Sequence, residues 1–512
     1  MPTAASWTDL RPREVRRAVA DVAHLVDFRT TTVRRPRAFA LGAAVFVGLT
    51  VAAATLPAFV SGAGSSKGYA LDAVLLIPTA MAGFMVLAIA SAVASGGGRE
   101  LLHREHAVIH PVSPTTDHLG ALLLAPLNIA WLLQAWILIG VTAYGVERRS
   151  LVAAEIGIVI WILAATAVGQ VVAWTVEAVR RTSHGIAIIR CVGVALAGVA
   201  VLLQLTHHTV GILDSLKTRW IVVGYVDGFR MRWVESIAVE LLLLVVAVVL
   251  GAVPAHLAAR RAPRDELRVE SGNHPARRLP RSALAMLVRL DRASVWRAVP
   301  MRRGLAVLAV GPGVVALAGN LTWPQMTILP GLVASGGALL FGVNAWCLDG
   351  RGALWRESVP VGPGTVFAAR AWVLTEFLLV ASFVTMVLAG LRAGLPSTSE
   401  LLALLCTWVV VVLQVITSAM RWSSRRPFAV DLRSARATPA PPLVMVGYST
   451  KLAVTTTLTS LVFSGLARVP HPEVSVLVAA PFVVWSLVRL LHARDAWTDP
   501  VERARVVTTV AG

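Results

Sequence analysis

Gly98-Arg99-Glu100-Leu101-Leu102-His103-Arg104-Glu105, followed by Pro111-Val112-Ser113-Pro114, returns about 250 residues later as Gly350-Arg351-Gly352-Ala353-Leu354-Trp355-Arg356-Glu357, followed by Pro360-Val361-Gly362-Pro363. The shared pattern is G-R-x-x-L-x-R-E and then P-V-[SG]-P, with three more residues between the motifs in the first copy. Two motifs matched in the same order mark an internal duplication. Each copy is a polar, helix-capable stretch closed by a Pro-rich turn, because proline disfavours helix at the residue before it. A short helix flanked by Arg and Glu suits the docking of a soluble partner. Arg99, Arg104, Glu105 and Pro111 are the candidate docking residues of the first copy, and Arg351, Arg356, Glu357 and Pro360 those of the second.

The sequence around these motifs is apolar. Of 512 residues, 56% are hydrophobic and 15% charged, with a mean hydropathy of +0.71. A soluble domain is about a quarter charged. A chain this apolar lacks the polar side chains to cover itself in water, so lipid is the expected solvent. The net charge is +19. Its cations sit between apolar runs rather than on one polar face, which speaks against nucleic acid and for the positive-inside bias of membrane proteins. Cys191, Cys347 and Cys406 are scattered, with neither metal-ligand spacing nor a disulfide framework.

A membrane span needs about 20 apolar residues. Candidates fall near 38–60, 73–95, 119–144, 152–178, 186–206 and 237–256, then near 304–321, 326–347, 367–391, 400–421, 444–467 and 473–492. The expected fold is all-α: a polytopic membrane protein with about twelve transmembrane helices in two homologous six-helix halves. Residues 1–37 form an amphipathic N-terminal segment, 38–256 the first half, 257–303 an Arg-rich linker, 304–492 the second half and 493–512 a tail. With the N-terminus in the cytoplasm, 34 of the 47 Lys and Arg residues fall on that side. Nine fall opposite: Lys67, Arg148, Arg149, Lys217, Arg219, Arg230, Arg232, Arg392 and Arg468. Both termini are therefore expected to be cytoplasmic. Six spans per copy return the chain to its starting side, so the two halves share one topology and can be related by an axis along the membrane normal. Before the first span, Trp7 to Phe28 repeats its apolar residues at helical spacing with Arg13, Arg16 and Arg17 between them, as an interfacial helix would.

Ionisable residues within spans are expensive and mark function or pairing. Arg370 and Glu376 lie in the ninth candidate span, Arg190 early in the fifth and Lys451 early in the eleventh. Glu376 is the leading candidate to face a translocation path; Arg190 and Lys451, set at the same depth in the two copies, are the further candidates.

At the repeated loops the chain resembles ABC exporter permeases of the second structural type. In that family a six-span unit carries a coupling helix between its second and third spans, and this helix docks in a groove of a separate ATPase. Gly98 to Pro114 and Gly350 to Pro363 match that position and style. The segment before the first span resembles the family's interfacial connecting helix. The loop at 207–236 lies where the family carries extracellular helices, whereas its counterpart near 467–473 is short. The chain has no G-x-x-x-x-G-K-[ST] loop. The resemblance therefore implies separate ABC ATPase subunits as partners, ATP used by those chains with no cofactor bound here, no catalytic or metal site, and a place in the plasma or inner membrane.

Two other readings compete. A major-facilitator-like secondary transporter also has six plus six spans, and Leu348-Asp349-Gly350-Arg351 suits it, but Gly97 stands where Asp349 would be repeated. A polytopic membrane enzyme would need a convergent cluster. His103, His106 and His110 lie near Glu105, without the H-E-x-x-H spacing of a zinc protease and without a counterpart in the second copy.

Overall fold

Backbone N–H and C=O groups have no water to bond in hydrocarbon, so apolar runs must close their hydrogen bonds internally. Helices do this within one segment. The computed structural model describes residues 12–31, 36–94, 112–125, 129–206, 208, 211–212, 217–261, 278–319, 321–340, 342–391, 393–429, 440 and 442–512. Every regular element among them is a helix. The chain divides into two compact units, Met1–Leu196 with His207–Asp265, and Ala197–Thr206 with Glu266–Gly512.

The first part of the chain contains α1 (Pro12–Thr31), α2 (Pro36–Thr55), α3 (Tyr69–Ala94), α4 (Pro114–Leu124), α5 (Ile129–Gly145), α6 (Leu151–Arg180), α7 (Gly185–Leu205), α8 (Thr218–Val226) and α9 (Met231–Ala259). In the first unit α6 is central, packed between α3 and α9. Its core joins Ile77, Met81 and Phe84 to Ile158, Trp161 and Ile162. The Trp161 indole donates to the Met81 carbonyl at 3.0 Å, and Trp131 donates to the Thr166 hydroxyl at 2.8 Å. Small residues let these helices close up. A Cβ on Gly157 would meet the Tyr225 ring at 2.2 Å. Tyr225 itself is fully buried and donates to the Glu240 carboxylate. Burial, reinforced by Glu240, raises its hydroxyl well above the ordinary tyrosine value, so it stays protonated as the donor.

The second part contains α10 (Ala283–Arg297), α11 (Val299–Ala318), α12 (Trp323–Met326), α13 (Ile328–Leu340), α14 (Ala353–Glu357), α15 (Pro363–Gly390), α16 (Thr398–Arg425), α17 (Pro442–Leu466), α18 (Glu473–Thr498) and α19 (Pro500–Ala511). In the second unit α15 packs on α10 and α11, while α16 packs on α13, α17 and α18. Val333, Phe367, Leu374, Val411, Val415 and Met420 belong to their shared core.

Among the described residues seven helices (α3, α6, α7, α9, α15, α16 and α18) are long and apolar enough to cross a membrane. The count rises to nine if two bent pairs, α10 with α11 and α12–α13 with the following 3-10 turn, are each one span. Twelve spans are therefore more than length and apolarity establish. The remaining expected segments, near 38–60, 119–144 and 444–467, fall on α2, on α4–α5 and on α17, which do not meet those conditions over the described residues. Val194 on α7 and Leu477 on α18 are each 75% exposed, and similar residues recur along these helices. Continuous apolar exposure on this scale belongs in lipid. The chain is an all-helical membrane protein.

Gly157→Ala pushes a methyl group into the Tyr225 ring. It is expected to cost about 1–3 kcal/mol, read as a lower thermal midpoint of the purified protein in detergent. An unchanged midpoint would contradict this packing.

Candidate partner-coupling site

The two copies of P-V-[SG]-P have a common local cause. Ser113 is the N-cap of α4, its hydroxyl accepting from the Thr116 amide at 3.0 Å, and Pro114 follows as the first helical residue. Gly362 is the N-cap of α15, with Pro363 in the same first position. Serine and glycine both serve at an N-cap, and proline is favoured just after it. The motif thus starts the next helix, the 11-residue α4 in one copy and the 28-residue α15 in the other, rather than only ending the preceding one.

Arg99, Arg104, Glu105 and Pro111 lie outside the described residues. In the second copy the helix ending at Leu340 gives way to a 3-10 stretch, Gly342–Leu348, broken at Asn344 by a non-helical backbone. The break exposes backbone groups that side chains capture. The Ala345 amide donates to the Ser423 hydroxyl at 2.7 Å, and the Ala345 carbonyl accepts from Arg370. Gly350 then adopts φ +48°, a left-handed conformation that favours glycine and explains the first letter of the motif. Residues Ala353–Glu357 form the short helix α14.

Beneath α14 lies a buried cluster of two arginines and two aspartates. Arg370, from α15, is 0% exposed. Its Nε is 3.0 Å from Asp291 of α10, and its Nη2 is 2.7 Å from Asp349. Arg356 of α14, its side chain 8% exposed, brings Nη1 to 3.0 Å from Asp291 and 2.6 Å from Asp349. The Arg370 guanidinium also lies 5.4 Å from the centroid of the Trp346 ring, which stacks on Trp497 at 3.7 Å. Trp497 in turn donates to the Pro363 carbonyl at 3.2 Å. Removing four charges from water is costly, and their mutual pairing offsets that cost. The cluster is neutral and ties α10, the repeated loop and α15 together.

Outside this cluster, Glu357 accepts from Arg503 of α19 at 2.9 Å. Arg356 and Glu357 are thus engaged within their own unit. What α14 turns outward is Leu354 and Trp355, the latter 78% exposed. Pro360 is exposed, and nothing is described of the Arg351 side chain.

Glu376 is ion-paired with Arg292 of α10 at 2.7 Å, its side chain 35% exposed. Arg190 is exposed on α7 and Lys451 is exposed on α17. No described contact joins Glu376 to Lys451, and Arg190 belongs to the other unit. Among the described residues no group of three or more His, Cys, Asp or Glu side chains is placed to hold a metal.

The residues that organise the site, Asp291, Asp349 and Arg370, were not among those expected to couple. A signal existed for Arg370, since a span arginine needs a partner. None identified Asp291, one acid in a stretch full of arginine. Compared with known proteins, the chain matches no family, no curated protein and no solved structure.

Arg370→Met leaves two buried aspartates facing one arginine, and is expected to cost about 3–5 kcal/mol. Adding Asp291→Leu leaves the neutral pair Arg356–Asp349 and should recover part of that loss. Thermal midpoints of the single and double variants test this, and a double variant less stable than Arg370→Met would refute it.

Proposed function

We propose that this chain is the membrane subunit of an ATP-driven exporter. In this reading two six-span halves, about twelve spans in all, each offer one coupling loop to a separate ABC ATPase subunit. The chain sits in the plasma or inner membrane with both termini cytoplasmic, and ATP is used by the partner chains. The observation that carries the proposal is the pair of matched loops, Gly98 to Pro114 and Gly350 to Pro363, each ending at the N-cap and first residue of a helix, α4 in the first copy and α15 in the second.

The build of the second loop supports it. Trp355 stands out from α14, and an exposed tryptophan on a short helix is a natural anchor for a groove in a soluble partner. Arg356, next to it, is held by Asp291 and Asp349 together with Arg370 of α15. A displacement of α14 would therefore be resisted by a buried ion cluster rather than absorbed by a slack loop. Force applied at Trp355 would reach the long helix α15 through Arg356, Asp349 and Arg370. In this reading the motif arginine works from inside, while the neighbouring apolar residues meet the ATPase.

Trp355→Glu is expected to leave the thermal midpoint unchanged and to weaken association with the cognate ATPase by more than about tenfold. Titration of the purified ATPase against the reconstituted chain measures this. Undiminished association of a variant carrying both Leu354→Glu and Trp355→Glu would refute the coupling role of this loop.

A further inference from the structure

A cluster of cations in the first unit plays no part in the coupling reading. Lys217, Arg219 and Arg232 line one open pocket of about 420 Å³ with Trp220 and Val223. Together with Arg230, they are four of the nine cations that the charge count leaves on the side disfavoured by the positive-inside bias. Their closeness in sequence, within 217–232, is matched in space.

Helix periodicity shows how α8 presents them. Thr218, Ile221, Val222 and Tyr225 are buried, whereas Arg219, Trp220, Val223 and Val226 are exposed. The buried face is clamped twice: Tyr225 donates to Glu240 of α9, and the Ser150 hydroxyl donates to the Val226 carbonyl at 3.0 Å. Gly224 permits a close approach to the start of α9, where a Cβ would meet the Ser236 hydroxyl at 2.3 Å and the Arg232 carbonyl at 2.8 Å. This contact brings Arg232 beside Lys217 and Arg219, which come from another element.

The charges in the pocket are poorly offset. Asp227 lies 3.6 Å from Arg232, an open pair with side chains 34% and 66% exposed. Among the described residues Lys217 and Arg219 have no carboxylate partner. Like charges gathered this way repel, and an anion between them relieves the repulsion. The pocket's depth narrows the choice of anion. It lies at the first turn of α9, one of the membrane-suited helices, where a bilayer's headgroups begin. Phe229 and Trp233 meet edge to face at 4.8 Å at the same end, as interfacial aromatics do. Trp220, Val223 and Val226 give α8 an apolar outer face that water would not favour and acyl chains would.

We propose that this pocket binds the phosphate headgroup of an anionic phospholipid. Arg219 and Arg232 can each present a two-pronged guanidinium to phosphate oxygens, and Lys217 adds a point charge. Trp220 and Val223 lie against the glycerol and the first methylenes. The assignment does not depend on the transporter reading.

The test uses the full chain purified in detergent, with native mass spectrometry and thermal unfolding in the presence of phosphatidylglycerol, phosphatidylcholine or inorganic phosphate. Phosphatidylglycerol should be retained and should raise the thermal midpoint, with phosphatidylcholine and phosphate having no such effect. The triple variant Lys217→Ala, Arg219→Ala, Arg232→Ala should bind phosphatidylglycerol about a hundredfold more weakly, at roughly fivefold per cation. Arg148→Ala, a cation outside the pocket that donates to the Ala58 carbonyl at 3.1 Å, should retain it. If the triple variant is not monodisperse, Lys217→Glu alone, at an exposed position, carries the same test. Equal phosphatidylglycerol binding by wild type and variant overturns the site. Stabilisation by inorganic phosphate alone, or equal retention of phosphatidylcholine, overturns the lipid assignment.

Discussion

A polar group surrounded by apolar atoms must find its partner within the chain, and most of what this molecule does structurally follows from that constraint. Backbone groups meet it by closing into helices, which are the only regular elements described. Where a helix breaks, the freed groups are caught by side chains. The Ala345 amide goes to Ser423 and the Ala345 carbonyl to Arg370, so the break at Asn344 is tied directly to the buried ion cluster.

Charged side chains obey the same rule at higher cost. Asp291, Asp349, Arg356 and Arg370 balance one another in the second unit. In the first unit, Glu177 accepts from Arg180 at 2.8 Å and from Arg181 at 2.9 Å at the end of α6. Arg181 also donates to the Ala258 carbonyl, and Arg261 donates to the Ala178 carbonyl. Here the crossed donations fasten the ends of α6 and α9 to each other. Each cluster joins segments far apart in sequence, and each resists the sliding of one long helix past another. Breaking such a set is far more costly than replacing all of it by apolar residues. Their structural value is therefore geometric: they specify which helix ends meet.

Apolar contacts between helices distinguish little in lipid, where tails are as apolar as leucine. Small residues and hydrogen bonds provide the discrimination. Gly157 accepts the Tyr225 ring, and Gly224 accepts Ser236 and the Arg232 backbone, so two glycines set the approach of α8 to its neighbours. The outer faces carry the opposite signature, with valine and leucine left open.

Composition and the period of apolar runs were enough to make this chain helical and membrane-embedded, because hydropathy and backbone pairing are local properties. The recurrence of the two motifs was equally plain, since matched letters need no coordinates. The N-cap role of Ser113 and Gly362 could also have been read, because a helix start depends on a few adjacent residues. The partners of Arg356 could not. Asp291 is 65 positions away from it in the chain and Arg370 comes from a different helix, and only packing brings the three together. That is why Arg356 reads as a docking residue in the sequence and stands as an anchor in the fold, with Trp355 turned outward instead. Glu376 changed in the same way, from a lone acid in a span to the partner of Arg292. Sequence determines which groups are polar and which stretches are apolar. Tertiary structure decides which polar groups answer one another, because ion pairs act over a few ångströms of space whatever their distance along the chain.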